Sequence, residues 1–170
     1  MDESARKAAE AVMKAIQTEI QGQNFYRMAA ATIEDPKGRE VFLMLAEEEV
    51  SHEKFLRAHY SSLLERGTPA GGVKLGKPSN LSGSSPIFSE AIRSRIRDAH
   101  YEMTALAVGI QLEATAMGFY RRASEDSDDR TIKRFFLDLA SWETGHYEAL
   151  LRQQQDLKLD YWSSAGFAPF

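Results

Sequence analysis

The chain has 170 residues, 43% of them hydrophobic, with a net charge of -4 and no cysteine. That length fits one domain with enough apolar surface for a core. Without cysteine there are no disulfides, zinc-thiolate sites, iron–sulfur clusters or cysteine nucleophiles, so any metal must be held by oxygen and imidazole. The acidic balance argues against a nucleic-acid partner, which needs a basic stripe. The one basic cluster, Arg93, Arg95 and Arg97, alternates with other residues and reads as a solvated helix face. No segment approaches the ~20 apolar residues of a membrane span, and the start lacks the charged and apolar regions of a signal peptide. A soluble, cytoplasmic protein with no membrane partner is expected.

In chain order, helical periodicity runs over roughly 3–34, 36–66, 87–126 and 129–159. Strand signals are absent, so the expected class is all-α. Asp35-Pro36 offers an N-cap followed by proline at the first helical position, and Ser85-Pro86 repeats that device. Gly67 is placed to end the second helix. Residues 67–86, rich in Gly, Pro and Ser, form a long crossover loop, whereas the other two connections are short. The chain therefore reads as a four-helix bundle of two antiparallel hairpins, about 3–66 and 87–159, within a domain spanning 1–160. The aromatic tail, 161–170, lies outside that domain and is expected to pack against the bundle.

The hairpins repeat each other. A shift of 94 residues, from Glu19 to Glu113, also superposes Ile16-Gln17 on Ile110-Gln111, Phe25-Tyr26-Arg27 on Phe119-Tyr120-Arg121, and Phe42-Leu43 on Phe136-Leu137. Two copies of one hairpin pack about an approximate two-fold axis, and a site on that axis draws equivalent ligands from each half.

The same shift superposes Glu49 on Glu143 and His52 on His146. A Glu and a His three residues apart share a helix face and can point at one ion. These polar residues interrupt inward apolar stripes: Val12, Glu19, Tyr26 and Ile33 in the first helix; Phe42, Glu49 and Leu56 in the second; Leu106, Glu113 and Tyr120 in the third; Phe136, Glu143 and Leu150 in the fourth. Four carboxylates buried together without partners would cost several kcal/mol each. Two divalent ions balance four negative charges, and Glu19, Glu49, His52, Glu113, Glu143 and His146 form the ligand set expected for a pair of iron or manganese ions.

Tyr26 and Tyr120 each follow a lone Glu by two helical turns and are expected beside the site. His59 faces inward, but its repeat counterpart is Gln153, so it is read as structural or solvent-facing. His100 has no ligand-like partner. Glu47, Glu48 and Glu53 have Ser141, Trp142 and Tyr147 as counterparts and are assigned to outer faces.

The sequence resembles the rubrerythrin branch of the ferritin-like superfamily, whose bundle has this wiring. The resemblance is carried by Glu19-x6-Tyr26, Ala46-Glu47-Glu48-Glu49-Val50-Ser51-His52-Glu53, Glu113-x6-Tyr120 and Trp142-Glu143-Thr144-Gly145-His146. It implies that Glu49 and Glu143 bridge two metals, Glu19 and Glu113 are terminal ligands, and His52 and His146 each cap one ion. It further implies a di-iron peroxidase of oxidative-stress defence, reducing hydrogen peroxide or dioxygen with electrons from an external, rubredoxin-like donor, and forming a homodimer or larger homo-oligomer. Two departures stand out. The C-terminal rubredoxin domain with its two C-x-x-C pairs is missing, and Ala116 occupies the place of an extra Glu one turn after the third-helix ligand. The ligand set is equally similar to that of bacterioferritin, so a ferroxidase or iron-handling protein is an alternative reading. A manganese catalase and a non-enzymatic helical module with a structural metal site are two more.

Overall fold

The structure, a computed structural model, describes residues 3–75 and 86–166. Four long helices dominate: α1 (Glu3–Thr32), α2 (Pro36–Arg66), α4 (His100–Glu125) and α5 (Arg130–Ser164). A short helix α3 (Ala91–Ser94) and a 3-10 turn (Ile96–Asp98) precede α4. The first pair packs as one hairpin and the last pair as another, with α1 also lying against α4. This is the all-α four-helix bundle expected from the sequence.

Local chemistry fixes the helix ends. Asp35, extended at φ -66 and ψ 118, accepts from the Gly38 N–H at 2.8 Å, and Pro36 follows it. Its counterpart in the repeat, Asp129, accepts from the Thr131 and Ile132 N–H groups at 2.8 and 2.9 Å. Gly67 takes the left-handed conformation, φ 72, and its N–H closes the last turn of α2 on the Leu63 carbonyl. That backbone disfavours any residue with a Cβ.

The third helix departs from expectation. Residues 87–99 do not extend α4 toward its N-terminus; the chain breaks at Arg95, φ -120, and the long helix starts at His100. Ser85 lies outside the described residues and Pro86 is not helical, so Pro86 does not open a helix. The apolar residues Ile87, Phe88, Ile92, Ile96 and Ala99 are buried as a helix would bury them. Their backbone is anchored by tertiary partners instead. The Ile87 N–H is taken by the Gln153 side chain, and the Ser89 N–H and hydroxyl by Asp35. Phe88 covers the first turn of α2 so closely that a Cβ at Gly38 would overlap its ring.

Arg95 and Arg97 therefore do not share the face of one long helix, although Arg97, in the 3-10 turn, is exposed. Arg95 reaches Glu34 and, at 3.0 Å, the buried Glu102, while Arg97 donates to the Ser164 carbonyl. The side chain of Arg93 lies outside the described residues. At the other end, α5 continues through Tyr161 and Trp162 to Ser164, so the first part of the expected tail is helix; residues 167–170 are outside the described residues.

Two apolar clusters flank a polar layer. One gathers Tyr26, Ile33, Phe42, Leu45, Leu106 and Leu150, the other Val12, Ile16, Leu56, Tyr120, Phe136 and Leu139. On every long helix the candidate ligands fall between residues of the two clusters, so each ligand is held by packed apolar turns above and below it. Fully burying each such Leu or Phe contributes about 1.5–3 kcal/mol.

Candidate metal centre

Glu19 on α1, Glu49 and His52 on α2, Glu113 on α4, and Glu143 and His146 on α5 meet in that polar layer. All six are buried, none more than 4% exposed. The structure thus brings together every residue singled out from the duplicated pattern, and their acceptor atoms converge. Nδ1 of His52 lies 3.2 Å from Glu19 Oε2, 3.3 Å from Glu49 Oε2 and 3.3 Å from Glu143 Oε1. Nδ1 of His146 lies 3.4 Å from Glu143 Oε2 and 3.8 Å from both Glu49 Oε1 and Glu113 Oε1. Glu49 and Glu143 therefore each turn one oxygen to one imidazole and the other oxygen to its counterpart. Two overlapping groups result, Glu19–Glu49–His52–Glu143 and Glu49–Glu113–Glu143–His146, each with ligand-type atoms within 4.8 Å of one another.

The donor set fits cations better than it fits itself. Among the described residues, both oxygens of Glu143 and Nδ1 of His146 are buried with no hydrogen-bond partner. Buried polar atoms left so cost about 1–3 kcal/mol each, more when charged. The protonation balance of the metal-free site shows the same strain. Burial raises Glu49 well above the usual carboxylate range, and the neighbouring Glu19 and Glu143 add to the effect. Glu113 is pushed up to about 7 by burial, against the pull of His146. Glu143 moves the other way: burial would raise it, but His52 and His146 hold it well below the usual range. Burial would lower both imidazoles, yet the surrounding carboxylates raise them well above 6.5. Protons are thus retained on a cluster of acids and imidazoles that two divalent ions would replace.

The tyrosines cross over. The Tyr26 hydroxyl donates to Glu113, and the Tyr120 hydroxyl donates to Glu19, so each bonds the lone Glu of the opposite hairpin. Both are fully buried, and burial together with that carboxylate raises each phenol well above 10. At Gly22, three residues after Glu19, an added Cβ would come within 3.3 Å of Glu49 Cγ, so the absence of a side chain leaves Glu49 its place.

Two assignments made from the sequence change. Glu48 does not face outward: its carboxylate accepts from His146 Nε2 at 2.6 Å, and its side chain is only 14% exposed. Glu53 is also drawn in, accepting from the buried Gln23 at 2.7 Å, whereas Glu47 is exposed. His59 is structural and not solvent-facing. It is 4% exposed, packs between Phe55 and Phe135, and its Nδ1 accepts from the Ala70 N–H at 3.2 Å. His100 is exposed at the start of α4. Glu48 was missed because its repeat counterpart, Trp142, carries no shared chemistry. The available signal was its position directly before Glu49, one helical step round toward the opposite hairpin.

The duplicated helical hairpin forms an all-α four-helix bundle that closes on buried Glu and His residues able to hold a metal ion. Residues 10–70 match the family model described as Rubrerythrin. Among solved structures, a hypothetical protein from Pyrococcus furiosus is 27% identical, with a TM-score of 0.61 over 88% of this chain and 89% of that one. No curated protein matches. The chain is thus similar to rubrerythrin over residues 10–70, and no helix among its described residues is long and apolar enough to cross a membrane.

Proposed function

We propose that this protein is a di-iron oxidoreductase of rubrerythrin type, reducing hydrogen peroxide, or dioxygen, with electrons from a separate donor protein. The observation that carries it is the orientation of Glu49 and Glu143, one oxygen of each toward His52 and one toward His146. In this reading Glu49 and Glu143, placed between the two imidazoles, would be shared by the two ions, and Glu19 with His52 and Glu113 with His146 would complete the two ligand groups. When bound, the iron pair supplies Lewis acidity and the capacity to pass two electrons.

The protein's own residues define the rest. Peroxide reduction breaks one O–O bond, consumes two electrons and two protons, and yields two waters. The apolar clusters on either side of the polar layer keep bulk water from the site. Tyr26 and Tyr120 hold the terminal carboxylates in place and keep their phenolic protons. The proposed electron donor is a separate redox protein, such as a rubredoxin-like one; these 170 residues carry no cysteine to hold a rubredoxin centre of their own. Stopped-flow mixing of the reduced, iron-loaded protein with each oxidant tests the proposal. Oxidation by peroxide much faster than by dioxygen is expected, and the reverse order would discard the peroxidase reading.

A ferroxidase or iron-handling role is favoured by one feature, the buried methyl of Ala116 where the rubrerythrin pattern has an additional acid. Storage requires a closed shell of many subunits, so size-exclusion chromatography separates the readings: a homodimer supports the redox enzyme, and a large particle supports storage.

A further inference from the structure

The 94-residue shift that relates Glu19 to Glu113 also relates Glu48 to Trp142. In three dimensions these two residues occupy equivalent places around the centre and do opposite things. Glu48 accepts a hydrogen bond from His146 Nε2 at 2.6 Å. Trp142 faces His52 edge-on, ring centroids 5.1 Å apart and planes at 82°, and among the described residues the buried His52 Nε2 has no hydrogen-bond partner. An indole has one N–H to donate and no acceptor, so it cannot take the proton of an imidazole N–H as a carboxylate can.

A metal-ligating imidazole whose outer nitrogen is bound to a carboxylate is held in one tautomer and orientation and is the stronger donor, an effect on metal affinity of about 10–100-fold. The other four ligands are shared or related by the repeat, so this outer contact is a chemical difference between the halves that the ligand set does not carry. We propose that the two metal positions are unequal: the one made by Glu49, Glu113, Glu143 and His146 binds its divalent ion first and more tightly, and the one made by Glu19, Glu49, Glu143 and His52 is the weaker, more readily exchanged position. Glu48 is the positioning residue that sets this order. The inference rests on the two-metal reading of the site, and it predicts a functional asymmetry that the ligand set by itself does not contain.

Titration of the metal-free protein with cobalt(II), followed by calorimetry and by its visible absorption, tests the inference without reference to turnover. The wild type is expected to bind in two steps whose affinities differ by about 10–100-fold. His146→Ala should remove the tight step and His52→Ala the weak one. Glu48→Gln, which keeps the shape and loses the charge, should weaken the tight step by about tenfold or more and bring the two together. Trp142→Glu should strengthen the weak step; if that variant does not fold, the two histidine variants still assign the steps. Two equal steps in the wild type, a Glu48→Gln titration unchanged from it, or loss of the weak step in His146→Ala would each overturn the inference while leaving the two-metal site intact. Absence of stoichiometric cobalt binding in the wild type would instead remove the two-metal reading itself.

Discussion

Tyr26, from the first hairpin, donates its hydroxyl hydrogen bond to Glu113 of the second, and Tyr120 returns the same bond to Glu19. These reciprocal bonds tie the two hairpins together through their terminal carboxylates. Tyr26→Phe keeps the ring packing against Phe25 and Phe42 but removes the donor. A loss of about 1–3 kcal/mol is expected, because a buried carboxylate forfeits a hydrogen bond. Denaturant unfolding of the metal-free protein measures it, and an unchanged midpoint would show that the bond does not tie the halves together.

The two N-cap aspartates allow a matched comparison. Asp129 caps α5 only, whereas Asp35 caps α2 and also holds the Ser89 backbone and hydroxyl as the chain enters the second hairpin. Asp129→Ala should cost about 1 kcal/mol, the usual worth of a cap. Asp35→Ala should cost more by about 1–3 kcal/mol, since the half-buried Ser89 donors of the incoming segment also lose their acceptor. Equal losses in thermal or chemical unfolding would contradict this double role.

Much of the architecture and of the candidate centre was legible because duplication writes the same residues twice. Glu19 with Glu113, Glu49 with Glu143, and His52 with His146 announce one another, and each interrupts an apolar stripe. What was not legible lies where the copies differ or where a distant side chain decides local structure. Glu48 and Trp142 share a place and no chemistry, so neither flagged its counterpart. The spacing of Ile92, Ile96 and Ala99 fits a helix, and only the side chains of Asp35 and Gln153 show why the segment is held otherwise. The crossing of the tyrosines was also hidden, since spacing along one helix places them two turns from their own Glu and says nothing of the facing hairpin.

Removal of metal should invert the response of stability to pH. In the metal-free protein Glu113 titrates near 7 against a usual value of 4.5, so its protonated form favours the fold and that contribution is lost as pH rises through about 7. Glu49 is raised too and acts in the same direction. The raised imidazoles contribute stability that is fully present below 6.5 and is lost progressively as pH rises from there through their higher folded values. Glu143, held low, loses its contribution only in stronger acid. The melting temperature of the metal-free protein should therefore fall between about pH 5 and about pH 8. With divalent ions in place of those protons, stabilisation by metal should grow over the same interval. Parallel melts with and without manganese(II) check both slopes.

Elemental analysis of freshly purified protein, with Glu49→Ala and Glu143→Ala beside it, tests the metal centre most directly. About two divalent ions per chain are expected in the wild type, because four buried carboxylates need that much positive charge. Both variants should lose the pair, since each removes a carboxylate facing both histidines. A wild type that carries no stoichiometric metal under replete conditions, or variants that keep both ions, would contradict the account.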